Sequence, residues 1–120
     1  MSDLKITRPE DAKEINVEGA TVPFYEYKIG DTTYVEFDTS RCGPPEPMVN
    51  AMMALKLVRE GKADKVIMIN HKKPMGLLPK IEGEFNIESE EDENGIAKLV
   101  FTKKDTPLKE TDFNDNQCAG

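Results

Sequence analysis

The sequence predicts an α+β fold: a two-layer α/β sandwich in the order β-α-β-α-β-β. An extra N-terminal strand or hairpin precedes it, and two helices pack on one face of a mixed sheet. Three observations predict this. Two pairs of β-rich runs flank the two-residue turn signals Gly30-Asp31 and Asn94-Gly95. One segment, "EPMVNAMMALKLVREG", repeats its apolar residues with the helical period. One short apolar run, "DKVIMIN" at 64–70, reads as a strand buried on both faces.

Taken in order, residues 1–20 are polar and weakly patterned, and read as an N-terminal arm with a short strand at Leu4-Lys5-Ile6. "VPFYEYKIGDTTYVEFD" is then a hairpin, and its second run alternates Thr33, Val35 and Phe37 with Tyr34, Glu36 and Asp38. The helix follows. Pro45 or Pro47 suits its first turn, where a missing N–H costs little, and Gly61 suits the position just past its end. Met48, Ala51, Met52, Leu55 and Val58 fall on one side, expected to face the sheet. Val49, Met53 and Leu57 form a second stripe, to be covered by the N-terminal segment or by a partner. "KPMGLLPKIEG" reads as a short helix that Pro79 forces to bend or to begin late. "EFNIESEEDENGIAKLVFTKK" is a second hairpin. The expected division is an arm at 1–20, an α/β domain at 21–104 and a fraying tail at 105–120.

Composition narrows the function classes. A net charge of −7 in 120 residues disfavours phosphate-backbone binding, so no nucleic-acid partner is expected. No apolar run approaches the ~20 residues that span a bilayer, so no membrane partner is expected either. "MSDLKITRPEDAKE" has no apolar leader-type core. With only two cysteines, this points to a reducing, cytosolic setting and free thiols. The charge is uneven. Lys56, Arg59, Lys62, Lys65, Lys72, Lys73 and Lys80 make 56–80 locally basic, a candidate docking face for an acidic protein partner.

The chemistry-bearing residues gather around "RCGPPEP" at 41–47 and "NHKKP" at 70–74. Strands joined by a right-handed crossover run parallel. Cys42 and His71 each follow one of the two parallel strands, so both emerge at the carboxyl rim, where open α/β sheets bind ligands. Cys42 precedes a helix N-terminus, and unpaired N–H groups there favour a thiolate and lower its pKa. Arg41 supports that charge and Glu46 opposes it. The plainer reading is a packed cysteine. His71 reads as an acid/base, a ligand or a solvated loop residue. Cys42, His71 and Cys118 have no metal-ligand spacing, and no P-loop, dinucleotide fingerprint or Ser-His-Asp signature occurs, so no metal and no cofactor are expected.

The pattern "FDTSRCGPPEPMVNAMMAL", followed by a strand, a proline-bearing short helix and two strands, resembles the TusA/SirA-like sulfur-carrier superfamily over about residues 33–103. The resemblance implies a small cytosolic protein whose cysteine, in a Cys-Pro-x-Pro motif at the start of the first helix, carries a persulfide sulfur to a partner. This chain departs from the motif. Aligning Pro45-Glu46-Pro47 puts Pro44 where the carrier cysteine belongs, and Cys42 stands two residues earlier. An uncharacterised branch of the superfamily has a Pro-Pro-Glu-Pro turn without the cysteine, and a histidine before a proline-leucine stretch. "HKKPMGLLP" at 71–79 is similar to that branch. Two functions are therefore expected. One is a sulfur-relay or redox carrier using Cys42, at most a sulfurtransferase-type activity. The other is a non-catalytic binding module using the rim of Arg41, Pro44, Pro45, Glu46, Pro47, His71 and Lys72.

Overall fold

Turn chemistry sets the framework. In the computed structural model, which describes residues 3–43, 45–74 and 76–104, strands β2 (Phe24–Ile29) and β3 (Thr32–Asp38) are joined by Gly30 and Asp31, with Ile29 opposite Thr32. Strands β5 (Phe85–Glu91) and β6 (Ala97–Lys103) turn at 92–96, where Asp92 accepts from the backbone N–H groups of Asn94 and Ile96. Helix α1 (Glu46–Arg59) closes after Glu60, with Gly61 N–H donating to the Val58 carbonyl and Lys62 N–H to the Leu57 carbonyl. This paired cap satisfies two carbonyls that the helix itself cannot. Strand β4 (Lys65–Asn70) follows, and the short helix α2 (Leu78–Ile81) starts late enough to hold Pro79 in its first turn. Together with β1 (Lys13–Ile15), the strands form one mixed sheet in the order β1-β2-β3-β4-β6-β5, with β3 and β4 parallel. The predicted α+β sandwich is the observed fold.

Strand alternation divides the core. On the helix side, Phe24, Phe37, Met68 and Leu99 stand opposite one another across four strands, and Val35, Val66 and Phe101 form the next row. These residues are buried with Ala51, Ala54, Leu55, Leu77 and Ile81 from the two helices. Helix α1 is turned by about 60° from the predicted orientation, at ~100° per residue. Its buried residues are Pro47, Asn50, Ala51, Ala54, Leu55 and Val58, while Met48 and Met52 stay half-buried at one margin. The small side chains of Ala51 and Ala54 let the helix approach the sheet closely, a criterion that apolar periodicity does not contain.

Residues 3–20 pack along both layers of the fold. Residues expected to form a strand at 4–6 instead lie in and after a 3-10 turn (Asp3–Lys5), and the strand of this region is β1. Leu4, Ile6 and Ala12 cover the sheet face opposite the helices, packing on Tyr27, Tyr34, Ile67 and Val100. Lys98 Nζ donates to the Ile6 carbonyl and Arg8 lies 3.9 Å over the Tyr25 ring. Beneath them, the buried Tyr27 hydroxyl donates to Glu36 Oε1 at 2.9 Å. Burial and the Glu36 carboxylate push the phenol pKa up, so it remains a donor.

After β1 the chain crosses to the other layer, where Val17, Ala20 and Val22 pack against the core and Val17 shares a hollow with Met53 and Leu57. Met53 and Leu57 of the second apolar stripe of α1 are thus met by this chain's own N-terminal segment. Gly19 is required there. Its φ is +90°, and a Cβ would come within 2.8 Å of Met53 Sδ. Asn50, fully buried on α1, fastens the crossing. Its Oδ1 accepts from Thr21 N–H, and its Nδ2 donates to Thr21 Oγ1 and the Glu46 carbonyl, each at 2.8 Å.

At the far end of α1, Arg59 holds Glu84 through both Nε and Nη2 at 2.9–3.1 Å. The hydrogen bond from Arg59 holds the Glu84 carboxyl below its ordinary value of 4.5. A depressed carboxyl stabilises the fold above its unfolded pKa, and that contribution disappears as pH falls through the folded one. Arg59→Ala is therefore expected to cost about 0.5–1 kcal/mol at neutral pH, as an exposed bidentate pair should. In urea titrations the gap from the parent chain should narrow as pH falls below 4.5 and through the folded pKa of Glu84.

Candidate functional site

Parity of the strands decides which polar side chains reach the carboxyl rim. Asn70 continues the helix-facing series of Val66 and Met68, and Thr39 continues that of Val35 and Phe37. Both side chains are buried at the rim. Thr39 Oγ1 donates to Asn70 Oδ1 at 3.0 Å, and Asn70 Nδ2 donates to the Lys72 carbonyl at 2.8 Å. The Thr39 N–H also donates to the Ile69 carbonyl at 2.7 Å. This small network ties the chain leaving β3 to the chain leaving β4.

Held in this way, residues 71–74, 76 and 77 stand across from the first turn of α1 and leave a cleft of ≈ 380 Å³ between them. Pro45, Pro47 and Met48 line the α1 side. Asn70, His71, Lys72, Lys73, Pro74, Gly76 and Leu77 line the other. The walls are mostly apolar, His71 and Lys72 are exposed, and no carboxylate is among the lining residues. Pro47 is buried at its base, and Leu77 is fully buried behind it.

Of the residues expected at the rim, Pro45, Pro47, His71 and Lys72 are brought together here. Arg41, Cys42 and Glu46 do not line the cleft. Pro44 lies outside the described residues, as do Cys118 and 105–120. The sequence offers no signal for Thr39; it places Asn70 at the rim without a role, and Met48 on the sheet-facing side of the helix. The available signal for Asn70 was an amide closing an otherwise apolar strand.

Of the two readings of Cys42, its surroundings disfavour the thiolate. The residue is half-buried, and its N–H donates to the Thr39 carbonyl at 3.0 Å. Desolvation, then Glu46 and Asp38, push the thiol pKa up rather than down. Glu46 occupies the first turn of α1, where its carboxylate offsets the field of the helix N-terminus. The thiol is protonated at neutral pH. Glu46→Gln removes one of the opposing charges, so iodoacetamide is expected to alkylate Cys42 about two- to threefold faster at pH 7.5. Measured by intact mass, an unchanged rate would show that Glu46 does not govern the thiol.

The basic residues of 56–80 do not form one face. Helix α1 runs back along the parallel pair, so Arg59, Lys62 and Lys65 lie at the amino end of β4, and Lys72 and Lys73 at its carboxyl end. Arg59 is held by Glu84, and Lys62 lies 3.4 Å from Glu60. Among the described residues, no group of three or more His, Cys, Asp or Glu side chains is placed to hold a metal ion, and no helix is long and apolar enough to cross a membrane. Compared with protein-family models, curated proteins and solved structures, the chain has no match in any of the three.

Proposed function

We propose that this protein is a non-catalytic binding module whose ligand sits in the cleft between the first turn of α1 and residues 71–74, 76 and 77. One observation carries the reading. A mostly apolar hollow with cationic side chains at its mouth forms at the carboxyl rim of the parallel pair, from segments that the Thr39–Asn70 network holds in place. Chemical-shift mapping with a mixed fragment set on the parent chain and on Cys42→Ser tests it. The expected result is that amides of 71–73, Gly76 and Leu77 move in both proteins. If every response disappears with the thiol, the binding-module reading fails.

A sulfur-relay role for Cys42 is the second reading. The position of the thiol before α1 favours it, and so does the resemblance to sulfur carriers. The raised thiol pKa opposes it. Incubation with a persulfide donor should add one sulfur atom to the intact mass only if Cys42 is present. In either reading a docking partner would use Lys72 and Lys73 at the rim, not the whole of 56–80.

A further inference from the structure

The cleft itself restricts what it can hold. Its volume of ≈ 380 Å³ falls at the lower end of small-molecule pockets, about 300–1,000 Å³. Pro45, Met48 and Pro74 offer apolar surface, with Pro47 and Leu77 buried behind them. The polar group set into it, the Asn70 amide, is already engaged with Thr39 and the Lys72 carbonyl. A sugar or nucleoside would lose its hydration there with little to replace it. Charge is confined to the mouth and has one sign: Lys72 and Lys73, with no lining carboxylate. The nearby acids are occupied elsewhere. Glu46 Oε1 accepts from the Thr21 hydroxyl, and Asp38 Oδ1 accepts from Ser40 N–H.

Resting on the binding-module reading, we propose that the ligand is a small amphipathic anion, an apolar body between Met48 and Pro74 with one carboxylate against Lys72 and Lys73. Gly76 determines the room available. A Cβ at this position would stand 3.5 Å from Met48 Cε, ordinary contact distance, so a side chain there points into the cleft without forcing the backbone. The missing side chain leaves space for the apolar body.

Octanoate, octanol and acetate, titrated separately into the full chain and followed by backbone amide shifts, test the proposal. Octanoate is expected to move the amides of 71–73, Gly76 and Leu77 saturably, with a Kd on the order of 0.1–1 mM. Octanol and acetate should leave them in place at the same concentration. Gly76→Leu should abolish the octanoate response. Lys72→Gln with Lys73→Gln should weaken it roughly tenfold, the sum of two surface charge contacts. An equal response to octanol would overturn the role of charge, and an equal response to acetate that of the apolar wall. Insensitivity to Gly76→Leu would place the ligand elsewhere. Movement of the same amides on dilution alone would assign the cleft to a second copy of the chain and overturn the proposal. If fragments of other chemistry shift the cleft but octanoate does not, the ligand class is wrong and the binding module stands. If nothing shifts it, both fall.

Discussion

Phe37→Ala is expected to lower the unfolding free energy by about 3–5 kcal/mol, the range for emptying a large aromatic site in a packed core. Phe37 is 1% exposed, and its ring stacks on Phe24 with centroids 4.9 Å apart and planes 16° from parallel. Phe24 faces it from β2 and Met68 from β4, so the ring bridges the added hairpin to the parallel pair. Domains of this size hold about 5–15 kcal/mol in total, so the loss is a large fraction of what is there. Removing the ring also removes the aromatic pair, worth about 0.5–1.5 kcal/mol beyond area burial. Urea denaturation measures this directly. Phe37→Leu keeps much of the volume and should recover more than half of the loss. A cost below 1 kcal/mol for the alanine variant would mean that β2 and β3 are not packed as described.

The second large effect concerns Asn70. Asn70→Leu is expected to cost about 1–2 kcal/mol, because it takes the amide partner from the Lys72 carbonyl at a buried position, while the Thr39 hydroxyl keeps the Ile69 carbonyl at 3.2 Å as its acceptor. Leucine also matches asparagine poorly in shape, so packing does not compensate. The change should be felt at the cleft as well as in stability. Amides of 71–73 are expected to shift and exchange faster, and fragment binding to weaken, while the Arg59–Glu84 end stays unchanged. Thr39→Val removes the other side of the same bond. A double-mutant cycle should therefore give a coupling of about 0.5–1.5 kcal/mol between the two. Independent costs would show that the Thr39–Asn70 bond does not organise the rim.

Much of the fold was legible because its signals are local. Gly30-Asp31 and Asn94-Gly95 mark turns by backbone chemistry, and they stand where the hairpins turn. Gly61 marks the helix stop for the same reason. The juxtaposition of the chain after β3 and the chain after β4 follows from a single β-α-β crossover between parallel strands. Burial along α1 was less legible. Periodicity identifies a stripe, but close approach to the sheet favoured Ala51 and Ala54 over the larger Met48 and Met52. Residues 4–22 were illegible, since their few apolar side chains have no period. Their path is set by what they cover, Tyr27 and Tyr34 on one layer and Met53 and Leu57 on the other.

The candidate site divides in the same way. Topology placed Cys42 and His71 at one rim, and the prolines of 45–47 at the start of a helix. Tertiary structure decided which of these residues share a cleft. It seated Pro45, Pro47, His71 and Lys72 together, left Cys42 beside Glu46 and Asp38, and separated the lysines of 56–80 between two ends of the sheet. Turn and helix signals depend on neighbours along the chain, and the sequence states those. A thiol's protonation and a cleft's lining depend on groups brought near in space. Here that proximity rests on the Thr39–Asn70 bond and on the orientation of α1 against the sheet.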